Sequence, residues 1–232
     1  MDSVKEKIIV ALDVPTEDAA LKIIEETYDY VGYYKVGLGF LAGDGIGFTR
    51  RLVEAGHKIF LDLKLFDIGQ TITDAVARLA DTGIKILTVH GDPYVISAAI
   101  RGRGLSGNKN LNIYAVTILT SLDEADIDAA GYSMSLPELV LFRAQNASNA
   151  GADGVIASGH ECRVIKAQGY GLKVITPGVR SNGVAIHDQK RVMKPKEAII
   201  EGADHLVIGR EITTAASPKN AAKHIYDALK SG

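Results

Sequence analysis

The chain has 232 residues, 47% hydrophobic and 23% charged, with a formal net charge of −2. This length suits one large domain or two small ones, and the composition excludes disordered, collagen-like and low-complexity proteins. The near-neutral charge gives no electrostatic argument for nucleic acid. No apolar run approaches the ~18 residues of a transmembrane helix, and the single cysteine, Cys162, excludes an internal disulfide framework or a multi-cysteine metal site.

The charged start of the chain is followed by only five apolar residues, too few for a secretory signal core, so a cytoplasmic protein is expected. From there two textures alternate. Short β-branched runs fall at Lys7–Val14, Tyr33–Gly37, Lys58–Lys64, Ile86–Gly91, Asn112–Leu119, Asp153–Ser158, Lys173–Gly178 and His205–Arg210. Most are continuously apolar, as strands buried on both faces require. The segments between them carry helical periodicity. Ile72, Ala75, Val76 and Leu79 make one stripe. Ser135 and Glu138 have the spacing of a capping box ahead of the face Leu136, Val140, Ala144 and Ala147. Ser217-Pro218 reads as an N-cap with proline at the first helical position, followed by Ala221, Ala222, Ile225 and Leu229. Gly32, Gly56, Gly83, Gly151 and Gly202 fall where helices must stop. Eight strands, each with room for a following helix, predict a (β/α)₈ TIM barrel occupying residues 1–232 as one domain; a doubly wound open sheet is the alternative.

In a parallel α/β fold, function gathers at the carboxyl ends of the strands. Those ends carry Asp13 on strand 1, Lys35 on strand 2, and Asp62 and Lys64 on strand 3 with Asp67 just beyond. Side-chain alternation points Asp62 and Lys64 the same way. An ion pair that merely caps the barrel would leave Lys35, Asp13 and Asp67 unexplained. Alternating charges of this kind can hold a lysine protonated as a general acid. Strands 7 and 8 end in Thr176-Pro177-Gly178-Val179-Arg180 and Val207-Ile208-Gly209-Arg210, which read as a phosphate site built from backbone N–H groups and forked cations rather than as surface arginines.

The run Asp62-Leu63-Lys64-Leu65-Phe66-Asp67 resembles the D-x-K-x-x-D signature of the orotidine 5′-monophosphate decarboxylase suprafamily. The resemblance extends through Leu12-Asp13, Lys35-Val36-Gly37, Val116 to Ser121, Thr176 to Arg180, Asp188-Gln189-Lys190-Arg191 and Val207 to Arg210, in the family's order. It implies a (β/α)₈ homodimer, without metal or organic cofactor, that converts orotidine 5′-monophosphate to uridine 5′-monophosphate and CO₂ in pyrimidine biosynthesis. It further implies that Lys64 protonates C6, that Asp62 sits against the departing carboxylate, and that Lys35 and Asp67 complete the charge network. Asp67 and Thr71 would reach across from the other subunit. Asp13 and Lys35 would contact the ribose, Thr120 the pyrimidine, and Arg180, Gln189, Gly209 and Arg210 the phosphate side. The family usually has His-Asp-Ile-Pro-Asn-Thr where this chain has Phe66-Asp67-Ile68-Gly69-Gln70-Thr71; the glycine should loosen entry into the next helix.

Two rivals are weighed against this reading. A Mg²⁺-dependent 3-keto-L-gulonate 6-phosphate decarboxylase or hexulose-phosphate synthase shares Asp62, Lys64 and Asp67, but Lys35 stands where that subgroup typically has a metal-holding acid. A non-catalytic nucleotide-binding barrel has no need of so costly a charge cluster. Two lesser features read plainly: Gly43-Asp44-Gly45-Ile46-Gly47 as a helix-start turn and Arg101-Gly102-Arg103-Gly104 as a solvated loop; His90, at the end of strand 4, either faces the site or only lines the barrel mouth. Cys162, close to His160, takes no role.

Overall fold

The computed structural model describes residues 3–41, 43–181 and 191–231. In chain order the elements are β1 (Ile8–Ala11), α1 (Glu17–Thr27), β2 (Tyr33–Gly37), α2 (Leu38–Leu41), α3 (Gly45–Glu54), β3 (Ile59–Leu65) and α4 (Gly69–Ala80). Next come β4 (Ile86–His90), α5 (Pro93–Leu105), β5 (Asn112–Val116), α6 (Glu124–Ala129), α7 (Leu136–Asn149), β6 (Gly154–Ile156) and α8 (Gly159–Ala167). The chain finishes with β7 (Lys173–Thr176), α9 (Pro195–Ile200), β8 (His205–Ile208), α10 (Arg210–Thr213) and α11 (Pro218–Lys230).

All eight strands pair in parallel, in sequence order, into a closed barrel. β1 meets β8 through the pairs Ile8↔Leu206, Ile9↔Val207 and Val10↔Ile208. That seam rules out the open sheet. Strand residues alternate between two cores, as a barrel dictates. Ile9, Ala11, Phe60, Ile86, Tyr114, Val116, Ile156, Ile175 and Val207 fill the interior, while Ile8, Val10, Leu61, Leu87, Ile113 and Val155 face the helical layer.

The predicted caps form. Ser135 and Glu138 make a reciprocal capping box at α7, and Ser217 accepts the Asn220 N–H at α11. Gly56, Gly83, Gly151 and Gly202 take φ of 83–109° just past helices, where an L-residue would be strained. Gly32 differs: it is absent from the left-handed glycines, and a Cβ there would lie 2.7 Å from the Lys5 carbonyl oxygen. Close backbone approach, not helix termination, explains it.

Other expectations need correction. Several strands stop earlier than their apolar runs: β1 at Ala11, β5 at Val116 and β8 at Ile208. Ladder partners run out at the rim, and the residues beyond splay into the mouth, so Asp13 and Thr120 lie on loops. The Arg101–Gly104 stretch lies inside α5. A Cβ on Gly102 would run into the Thr73 carbonyl of α4, so the glycine lets two helices touch. Gly43–Gly47 does open a helix, with Asp44 at the N-cap of α3.

Arg103 belongs to a clasp that occurs twice below the barrel. Asp153, just before β6, accepts the Ile113 N–H at 2.7 Å and Arg103 Nη1 at 2.5 Å. Asp204, just before β8, accepts the Val174 N–H at 2.6 Å and Lys166 Nζ at 2.6 Å. Each carboxylate ties a strand's first buried amide to a helix cation. Asp153→Ala strands the fully buried Ile113 amide, so it should cost about 2–3 kcal/mol. The thermal midpoint, followed by calorimetry, should fall by roughly 5–10 °C.

Candidate active site

The barrel mouth opens on a cavity of about 510 Å³ whose floor is Ala11, Phe60, Val116, Ile156 and Val207. On one side the strand ends set four charges in a row. Lys35 Nζ lies 3.1 Å from Asp13 Oδ1 and 3.4 Å from Asp62 Oδ2, and Lys64 Nζ lies 2.9 Å from Asp62 Oδ1. Lys35 and Asp62 are each only 8% exposed, so their charges persist only because they compensate one another. Room for Lys35 depends on Gly37, where a Cβ would sit 3.1 Å from its Nζ.

The lysine at the end of this row is reached by an unusual backbone. Lys64 has φ of 49°, the only left-handed non-glycine among the described residues. β3 and β4 pair at Leu61↔Leu87 and again at Leu65↔Val89, so three residues of β3 oppose Thr88 alone. Simple alternation therefore fails here, although Asp62 and Lys64 do meet. Thr88 Oγ1 spans the irregularity, accepting the Lys64 N–H at 3.0 Å and donating to Asp62 Oδ1 at 2.8 Å.

Burial pushes the Asp62 carboxyl up, but the ammonium groups of Lys35 and Lys64 and hydrogen bonds from Lys64 and Thr88 outweigh it, leaving the pKa below the usual carboxylate range. A depressed folded pKa contributes stability that is complete above the unfolded value of about 4 and is lost as pH falls through the folded one. The difference in thermal midpoint between wild type and Asp62→Asn should therefore be steady above about pH 5 and shrink towards pH 3. A gap that stays unchanged down to pH 3 would refute the ionised, lysine-held Asp62.

The opposite wall is the predicted anion side: Pro177, Gly178 and Arg180 after β7, and Gly209 and Arg210 after β8. Arg180 is buried, with Nη1 donating to its neighbour's carbonyl on Val179 at 2.6 Å. Thr120 and Ser121, beyond β5, close the third side. Asp13, Lys35, Asp62, Lys64, Thr120, Arg180, Gly209 and Arg210 thus line one space. Asp67 and Thr71 do not: both are exposed, and Asp67 Oδ1 accepts the N–H of adjacent Ile68 at 2.7 Å. Gln189 and the preceding Asp188 lie outside the described residues.

Thr88 and the ion pair of buried Glu161 with half-buried Arg191 had no predicted role. Arg191 Nη1 meets Glu161 Oε1, and Nη2 donates to the Leu119 carbonyl at 3.2 Å, bracing the loop that carries Thr120. Burial pushes the Arg191 pKa down. Arg191 closes the quoted Asp-Gln-Lys-Arg run, which was the available signal; its partner, 30 residues away, gave none. His90 ends β4 but does not line this cavity; its Nδ1 lies 2.5 Å from Asp92 Oδ2 and its ring packs on Phe66. Cys162 is buried against Thr176 Oγ1, and burial pushes its thiol pKa up, away from a reactive thiolate.

Known proteins resemble this chain along nearly its whole length. Residues 6–225 fit the model of the orotidine 5′-phosphate decarboxylase / HUMPS family. An orotidine 5′-phosphate decarboxylase from Cereibacter sphaeroides is 50% identical over 224 residues, covering 94% of each chain. One from Ruegeria pomeroyi is 46% identical over 230 residues, 97% of this chain and 95% of its own. The crystal structure of orotidine 5′-phosphate decarboxylase from Lactobacillus acidophilus superposes with a TM-score of 0.81 at 33% identity, over 96% of this chain and 98% of the other. With its closed barrel, its charge row and these relatives in agreement, the chain belongs to the orotidine 5′-phosphate decarboxylase / HUMPS family.

Proposed function

We propose that this chain is a carboxy-lyase that converts orotidine 5′-monophosphate to uridine 5′-monophosphate and CO₂, in pyrimidine biosynthesis. The observation that carries the reading is the row Asp13–Lys35–Asp62–Lys64 set across a nucleotide-sized cavity from Arg180, Gly209 and Arg210.

The chemistry gives each part a task. The C6–carboxylate bond breaks, and its electron pair stays on C6 as a vinyl carbanion with no conjugated carbonyl to receive it. Lys64 presents an ammonium beside C6, stabilises that charge and delivers the proton that forms the C6–H bond. Asp62, held ionised by two lysines, lies against the substrate carboxylate and disfavours its charge until CO₂ departs. Asp13 and Lys35 bind the ribose hydroxyls and Thr120 the pyrimidine. Arg180, Gln189, Gly209 and Arg210 hold the phosphate, whose remote binding energy fixes the reacting carbon in place.

Asp67 and Thr71 serve the neighbouring subunit of a homodimer. Phe66 and Ile68, 60% and 71% exposed on either side of Asp67, supply apolar area for that contact. Residues 1–232 act as one catalytic unit, in the cytoplasm, without metal or organic cofactor. Lys35 supports metal independence, because it places an ammonium where a divalent ion would need a carboxylate.

The test is the loss of orotate absorbance when the protein meets orotidine 5′-monophosphate in excess EDTA. Rapid decline with stoichiometric uridine 5′-monophosphate is expected. No decline, followed by turnover of a sugar phosphate with Mg²⁺, would overturn the assignment.

A further inference from the structure

We infer that Thr88 is a positioning residue for the decarboxylation, locking Asp62 and Lys64 into one geometry through a single shared hydroxyl. This rests on the activity proposed above and concerns a residue that does not line the substrate cavity.

Thr88 is fully buried, with no exposed surface through which water could replace a partner. Its hydroxyl has one hydrogen to give. The Lys64 main-chain N–H can only donate, and an ionised Asp62 carboxylate can only accept. The hydroxyl must therefore accept from Lys64 and donate to Asp62, at 3.0 and 2.8 Å. Because Lys64 Nζ also reaches Asp62 Oδ1, the three residues close a ring: Lys64 amide, Thr88 hydroxyl, Asp62 carboxylate, Lys64 ammonium. No link in that ring can reverse.

The ring answers two local problems. Three residues of β3 face one of β4, so the Lys64 amide lacks a strand partner on that side, and the hydroxyl supplies one. The left-handed backbone of Lys64 is strained for a residue with a Cβ, and a hydrogen bond at that amide holds the conformation that aims the side chain into the mouth. Thr88 is itself fixed, since β4 continues its ladder to β5 through Thr88↔Tyr114. Asp62 thus has each oxygen assigned: Oδ1 to Thr88 and Lys64, Oδ2 to Lys35. Misplacement of the acid by about 1 Å can cost on the order of 10²-fold in rate.

Thr88→Val removes the hydroxyl and keeps the shape; Thr88→Ser keeps the hydroxyl. With orotidine 5′-monophosphate, the valine variant should lose roughly 10- to 100-fold in kcat, with KM and uridine 5′-monophosphate affinity within about threefold of wild type. The serine variant should recover to within about threefold in kcat. General loosening of the wall would instead weaken nucleotide binding together with kcat, and serine would not restore it. A wild-type kcat in folded Thr88→Val, or equal impairment in Thr88→Ser, would overturn the inference. If the valine variant does not fold, Thr88→Ala, which also lacks the hydroxyl, takes its place with the same criteria. Wild-type turnover is measured first: its absence overturns the activity, and this inference with it, whereas an active wild type with an active valine variant overturns this inference alone.

Discussion

Replacing Lys64 by alanine is expected to abolish decarboxylation, with kcat falling by about 10⁴-fold or more, while uridine 5′-monophosphate still binds. Two contributions disappear together, the proton donor and the cation that faces the developing carbanion. The backbone is not a confounding factor, because alanine bears much the same left-handed penalty as lysine. Asp62 retains Lys35 as counter-ion and Thr88 as donor, so the charge row does not collapse. The opposite wall, Arg180, Gly209 and Arg210, lies across the cavity and is untouched. Turnover by orotate absorbance and product affinity by calorimetry separate the two effects. Unimpaired turnover in this variant would remove Lys64 from the mechanism.

Mixing Lys64→Ala with Asp67→Ala, each inactive alone, should restore about a quarter of wild-type activity after subunit exchange. Half the dimers of an equal mixture are hybrids, and each hybrid pairs the intact Lys64 of one chain with the intact Asp67 of the other in one of its two sites. The basis is where Asp67 points. It is exposed, absent from its own cavity, and held by the adjacent Ile68 amide. Phe66 and Ile68, which flank it, are the kind of side chains that each contribute about 1.5–3 kcal/mol when buried. Mass-tagged subunits can report exchange independently of activity. Exchange without recovery would refute the shared site.

Much of this was legible in the sequence. The eight apolar runs gave the strand count because both faces of a barrel strand are buried, and the caps at Ser135 and Ser217 are local events encoded within three residues. The charge row was legible because a charge in an apolar run is conspicuous: Lys35, Asp62 and Lys64 each interrupt a strand. Features that depend on two distant segments were not. The inserted residues at the end of β3 become visible only once β4 is laid beside it, so neither the left-handed Lys64 nor the role of Thr88 could be read from either strand alone. The ion pair of Glu161 and Arg191 looks in sequence like two ordinary surface charges. The Arg101–Gly104 stretch misled because glycines between arginines suggest a loop, whereas Gly102 is the contact point of two helices.

The seam between β1 and β8 also sets a schedule for the newborn chain. Ile8–Val10 are made about 200 residues ahead of their partners Leu206–Ile208, and Glu6 waits equally long for the His205 ring that takes up its carbonyl. At ribosomal speeds of about 5–20 residues per second, that interval is on the order of 10–40 s. Throughout it the growing sheet keeps an apolar open margin, able to recruit a strand from any neighbouring nascent chain. Ribosomes stalled before residue 205 would therefore display a sticky ring lacking only its last strand, and a chaperone that shields Ile8–Val10 during synthesis would protect the whole molecule.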